Sequence, residues 1–174
     1  MHAPEHREEG SLNVERARLI EQYRAGFAEV EGALAGITDE ELDRRPGEAD
    51  GWTAREVAHH LADSEAMAYT RLRRLVADDE PMIQGYDEPV WARRLHYDDR
   101  PIAPSLAVVR AVRESSLQLL EALTPDEWAR TGTHSESGAG YGVERWLEIY
   151  ANHCHDHARQ IRAARTADAV ATAG

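Results

Sequence analysis

Cysteine is nearly absent from the sequence: Cys154 is the sole one, so no intrachain disulfide can form and a disulfide-stapled scaffold is excluded. Long apolar runs are missing too. No stretch approaches the ~20 residues of a membrane span, and Met1–Gly10 has no apolar segment of the kind a signal peptide needs. Positive charge is in deficit, with 20 basic against 32 acidic residues and a formal net charge of −12, which argues against nucleic acid or an anionic membrane as partner. Together these features lead to the expectation of a cytoplasmic protein that meets neither DNA nor lipid. Strand-like alternation of apolar and polar residues is also lacking over any useful length. At 174 residues the chain suits one domain with a sizeable core.

What the sequence does contain is helical periodicity. After a polar N-terminus (1–11), expected to be mobile, Ile20, Tyr23, Phe27, Val30, Leu34 and Ile37 recur at steps of three and four, which predicts a first long helix from about Leu12 to Ala35. Thr38-Asp-Glu-Glu41 has the form of a capping box and opens a short helix that ends before Arg45-Pro46-Gly47. A second box, Thr53-Ala-Arg-Glu56, with Trp52 and Val57 placed as a hydrophobic staple, opens a second long helix running to Ala77. Its inward stripe is Val57, Leu61, Ser64, Ala68, Leu72 and Leu75. His60 lies beside that stripe, and His59 points further round. Residues 78–104 form a connection long enough to be a lid or a crossover.

A third long helix is predicted from about Pro104 to Leu123, with Leu106, Val109, Val112, Ser116, Leu117, Leu120 and Leu123 inward. Thr124-Pro-Asp-Glu127 repeats the earlier Thr38–Glu41 pattern, Thr131–Gly142 reads as a Gly- and Ser-rich loop, and a fourth helix spans Val143 to Arg165. Residues 166–174 are expected to fray. The reading is therefore an all-α protein, a four-helix bundle over residues 12–165 with a long connection between its second and third helices.

The chemistry concentrates in Tyr150-Ala-Asn-His-Cys-His-Asp-His-Ala-Arg-Gln-Ile161, which holds three of the nine histidines. On a helix His153 and His157 stand one turn apart on one face, while His155 is rotated by about 200° and is expected in solvent. Imidazoles at i and i+4 can aim ring nitrogens at one ion. Two ligands make a weak site, and His60 is the inward histidine able to supply a third. Three imidazoles leave a fourth position open for water or substrate, the pattern of a catalytic rather than a structural site. Cys154 falls within the apolar stripe and reads as a small core residue.

Three blocks, Trp52-Thr53-x-x-Glu56-Val57-x-x-His60-Leu61-Ala62-Asp63-Ser64, Tyr86-Asp87-Glu88-x-x-Trp91 and Tyr150-x-x-His153-x-His155-x-His157-x-x-x-Ile161, resemble the DinB-like superfamily, in particular its YfiT-type metal-dependent hydrolases, over roughly residues 14–165. The resemblance implies a bundle with up-down-down-up connection and a histidine triad, here His60, His153 and His157, that binds zinc or nickel. It also implies hydrolysis or, from thiol-transferring relatives, S-transfer with a low-molecular-weight thiol co-substrate. A small-molecule substrate and a homodimer are further expectations. Asp156 and Gln160 stand where YfiT-type members often carry further histidines. Glu56, Asp156 and Gln160 are the candidates to support the ligands, Glu56 also being claimed by its cap, and Tyr86, Trp91 and Tyr150 are the candidates to line the pocket. No catalytic residue is assigned. The alternative is a non-enzymatic, stress-related or interaction module whose metal site is structural or vestigial.

Overall fold

Four long helices carry the fold: α1 (Glu5–Leu34), α3 (Ala54–Ala77), α5 (Ile102–Ala122) and α7 (Val143–Thr166). Between them lie the short helices α2 (Asp39–Leu42), α4 (Glu88–Arg94) and α6 (Pro125–Trp128) and the strands β1 (Met82–Ile83), β2 (Thr131–His134) and β3 (Gly138–Gly142). The structure, a computed structural model, describes residues 5–47 and 51–167. Of the expected mobile ends, residues 1–4 and 168–174 lie outside the described residues. Residues 5–11 are the first turns of α1, which begins at Glu5 rather than near Leu12.

All three Thr-x-x-Glu signals form closed capping boxes. In the one that opens α3, the Thr53 hydroxyl accepts from the Glu56 amide at 3.2 Å, and the Glu56 carboxylate accepts from the Thr53 amide at 2.8 Å. The boxes at Thr38 and Thr124 repeat the arrangement ahead of α2 and α6. α5 starts two residues before the predicted Pro104, behind an N-cap at Pro101. Pro104 is accommodated within the first turn, where its missing N–H has no partner to lose.

Cross-links between the helices fix their directions. Arg16 with Glu144, Gln22 with Asn152 and Glu29 with Arg162 climb α1 and α7 together, so these two run parallel. His59 with Ser105, Glu65 with Arg113 and Arg73 with Ser115 show the same for α3 and α5. α3 and α7 run antiparallel, with His60 against His157 and Arg71 against Tyr150. The connectivity is thus up-down-down-up. Two consecutive helices that run parallel require the chain to return along the bundle, and the long segment 78–101 is that crossover.

The core follows the stripes. Every residue of the predicted α3 stripe is buried, whereas on α1 Tyr23, Val30 and Leu34 are buried and Ile20 and Phe27 only partly so, as is Ile37 just beyond its end. On α5 the buried set is Val109, Arg113, Ser116 and Leu120, with Leu106, Val112, Leu117 and Leu123 at its margins. The stripe there is centred on an arginine.

The segment 131–142, expected as a loop, is a hairpin. β2 pairs antiparallel with β3 and parallel with β1, giving the order β1-β2-β3. Strands of two to five residues rich in glycine carry no usable alternation, and β1 comes from the distant crossover, so periodicity had nothing to register. At Gly132 the hairpin passes close to the residue before β1: an added Cβ would stand 2.5 Å from the Pro81 carbonyl oxygen. Gly132→Ala is therefore expected to lower stability by about 1–3 kcal/mol in urea denaturation. Gly47→Ala, where a Cβ meets nothing within 4 Å, should leave stability within about 0.5 kcal/mol.

Candidate metal centre

Antiparallel packing of α3 on α7 brings His60 opposite His153 and His157. The His60 ring lies 4.7 Å from that of His157 and 5.6 Å from that of His153, and one nitrogen from each of the three rings falls within 4.8 Å of the others. Helix geometry and side-chain contacts each orient a ring. His153 Nδ1 meets the Glu65 carboxylate at 2.9 Å, and His157 Nδ1 meets the Gln160 side-chain oxygen at 2.8 Å. Both acceptors call for a proton on Nδ1, so in the neutral rings the lone pair lies on Nε2, which Ser64 approaches in His153. His60 has no hydrogen-bonded partner among the described residues, and its Nδ1 is buried and unmatched.

Burial and the two neighbouring histidines push the His60 pKa down to about 3, and burial with His153 pushes His157 down to about 4. At neutral pH these two imidazoles are uncharged, the form a cation requires. An orphaned buried nitrogen, two ring orientations set by their partners and two imidazoles held neutral all fit a divalent cation.

A buried carboxylate anchors this arrangement. Glu65 has no exposed side-chain surface and accepts from Arg113 at 2.7 Å as well as from His153. Burial alone would raise its pKa, but Arg113 and His153 outweigh that and hold the carboxyl below its ordinary range. On the open side, His153 and Ser64, whose hydroxyl lies 3.4 Å from His153 Nε2, border a cavity of about 880 Å³. Arg71, Tyr86, Tyr141 and Tyr150 form much of its wall.

Comparison with known proteins identifies the family and the fold. The profile of the DinB superfamily matches residues 22–161. The chain belongs to the DinB superfamily. Among its DinB relatives it is similar to OB0782 of Oceanobacillus iheyensis, 37% identical over 76% of this chain and 75% of that one, and to YfiT of Bacillus subtilis, 31% identical over 77% and 75%. Both carry names that place them, as an inference, among metal-dependent hydrolases. The solved structure of YfiT, described as a probable metal-dependent hydrolase with an unusual four-helix bundle topology, superposes with a TM-score of 0.79 at 29% identity. It covers 86% of this chain and 85% of YfiT.

Within this DinB bundle the three sequence-selected histidines stand together, with Gln160 against His157. Tyr86 and Tyr150 line the cavity, and Trp91 packs on the outer side of Tyr86 with ring centres 4.3 Å apart. Two expected supports are elsewhere. Glu56 has both carboxylate oxygens engaged, by its cap and by Arg45, and Asp156 pairs with exposed Arg159. His59 is also buried rather than turned outward, held by Ser105 at 2.8 Å and the Arg100 carbonyl at 2.9 Å. His155 is half-buried, its Nε2 meeting the Gln22 carbonyl at 2.9 Å. Sequence reasoning missed Glu65 and Arg113. The available signal was Arg113 itself, which sits four residues after Val109 and three before Ser116 on an inward stripe and so needs a buried counter-charge.

The low pKa values of His60 and His157 have a consequence for stability. Between about pH 6.5 and 4 the unfolded chain takes up protons on these rings that the folded chain refuses, so stability falls as pH drops through that window. Chelator-treated protein is expected to melt at progressively lower temperature from pH 7 to pH 4.5. His60→Gln, which removes one of the two groups, should flatten the slope, and an unchanged slope would assign the loss to other groups.

Proposed function

We propose that the protein is a metal-dependent enzyme in which His60, His153 and His157 hold one divalent cation, zinc or nickel, and act on a small molecule admitted through the adjoining cavity. The observation that carries this reading is the convergence of three nitrogens, two with their tautomers fixed by Glu65 and Gln160, beside a cavity of about 880 Å³. A divalent cation held by the three imidazoles would supply Lewis acidity and activate a nucleophile near neutral pH. The chain's part is orientation: Glu65 and Gln160 aim the rings, Ser64 offers a hydroxyl next to His153 on the cavity side, and Tyr86 and Tyr150 confine the ligand.

The names of the relatives favour hydrolysis as the reaction class. Transfer to a low-molecular-weight thiol is a second reading, favoured by one feature. Among the described residues no carboxylate joins the cluster, and the nearby Glu65 is engaged by Arg113 and His153, so no side chain there is placed as the general base that many metal hydrolases add. A thiol needs less help, since it ionises near neutral pH when held by a cation. A purely structural metal is disfavoured by the two apolar clusters that flank the histidines, which give the bundle a core of its own.

Tag-free protein is expected to copurify with close to one equivalent of metal, read by elemental analysis, and the His60→Ala, His153→Ala double variant with almost none. Stoichiometric metal in the double variant would dismiss the ligand assignment. Glu65→Gln should weaken metal affinity by about 10- to 100-fold, since it loosens the orientation of His153 without removing any of the three ligands. Metal-loaded protein should then turn over either an ester panel or a thiol with a monochlorobimane-type electrophile, with the activity lost on chelation.

A further inference from the structure

We infer that the cavity bordered by His153 contains a second subsite, made by Arg71, Tyr86 and Tyr150, that binds a carboxylate carried by the ligand. Arg71 lies eleven residues after His60 on α3, which at about 100° per residue returns it to nearly the same face, three turns along. Ser64 stands between them. On α7, Tyr150 precedes His153 and His157 on the facing stripe, so the two helices present the histidines at one end of a strip and Arg71 with Tyr150 at the other.

The hydrogen bonding of this end is incomplete. Arg71 Nη1 donates to the Tyr150 hydroxyl at 3.0 Å and Nη2 to the Gln84 carbonyl at 2.7 Å, while its Nε is buried and has no partner. The Tyr86 hydroxyl is likewise buried and unmatched, and the guanidinium carbon lies 5.9 Å from the centre of the Tyr86 ring. Buried polar groups are almost always paired, so two orphans at one cavity wall mark a place where a ligand completes the set. Burial pushes the Tyr86 hydroxyl up to about 12 and also raises Tyr150, so both remain protonated.

Charge narrows the ligand. The sequence has no lysine, so arginine at this position is not distinctive in itself. What distinguishes Arg71 is that, of the three cavity-lining arginines, Arg130 pairs with Asp79 and Arg145 with Glu148, whereas Arg71 has no carboxylate within ion-pair distance among the described residues. Glu88 and Glu136 line the same cavity without reaching it. Their charges, with a net −12 over the chain, oppose a dianion more strongly than a monoanion. One free cation beside phenolic donors suits a planar carboxylate. The subsite deepens the proposed function by orienting a ligand whose other end reaches the histidines, but its own binding requires no metal.

The test uses chelator-treated full-length protein, titrated calorimetrically with hexanoate, hexanamide and inorganic phosphate. Hexanoate is expected to bind at least about tenfold more tightly than hexanamide, a difference of about 1.4 kcal/mol, and more tightly than phosphate. Arg71→Gln should abolish the preference for hexanoate, and Tyr86→Phe should reduce it while melting at the parental temperature. If Arg71→Gln does not fold, Arg71→Lys, which keeps the charge and removes the Nε donor, is expected to lose part of the preference. Equal binding of acid and amide, or a preference that survives in every variant, overturns the subsite; tighter binding of phosphate overturns its assignment to a carboxylate. A chain that binds hexanoate but no metal would retain the subsite and dismiss the three-histidine reading, and the reverse result would do the opposite.

Discussion

Glu65 sits out of contact with water where three helices meet, accepting from Arg113 on α5 and His153 on α7 while its own backbone belongs to α3. A carboxylate removed from water costs several kcal/mol unless donors replace the lost hydration, so the fold tolerates it only while both partners stay in place. The network then reaches the fourth helix. Arg113 donates to the Tyr23 carbonyl on α1 and lies over the Tyr23 ring at 3.8 Å. Gly26 makes room for it, since a Cβ there would be 2.7 Å from Arg113 Nη2. The Cys154 thiol lies 3.6 Å from the same carboxylate, and burial together with Glu65 pushes its pKa well up, which leaves a packed, unreactive sulfur. One charge thus aligns the bundle and sets the tautomer of a histidine at the candidate site.

Topology supplies the cavity that this alignment serves. Because α3 and α5 run parallel, the crossover must travel the length of the bundle, and it is pinned as it goes: Arg71 takes the Gln84 carbonyl, the Tyr97 hydroxyl donates to Asp63, and His59 and Arg55 hold the Arg100 carbonyl. β1 within the crossover pairs with β2 of the hairpin, so two connections from different parts of the chain close over one face. A simple up-down-up-down bundle with short loops would leave the same histidines on an open groove.

Much of this was legible in the sequence, and the part that was not has a common cause. The long helices, their capping boxes and the three histidines announce themselves through local spacing, because a helix places i and i+4 together whatever its neighbours do. The hairpin, the burial of His59 and the Glu65–Arg113 pair depend on contacts between segments far apart in the chain. Glu56 illustrates the difference: it lies one turn before His60, yet its carboxylate serves the helix start, a local demand that outcompeted the site. Glu65 follows Ser64 directly and would look like a solvated residue until α5 is known to bring an arginine against it.

The charge balance of the centre bears on what it can hold. Imidazole ligands contribute no negative charge, and Glu65 is matched by Arg113, so a divalent cation there would keep most of its charge uncompensated by the side chains that would hold it. An anionic fourth donor is then favoured over a neutral one, and the acidic surface of the protein favours cation entry in the same way. The cavity side of the cluster offers the Ser64 hydroxyl and phenolic groups, none of which is an anion at neutral pH. The carboxylates of the same cavity, Glu88 and Glu136 among them, stand outside the three-histidine cluster, so a ligand that brings its own negative charge would complement a cation held there.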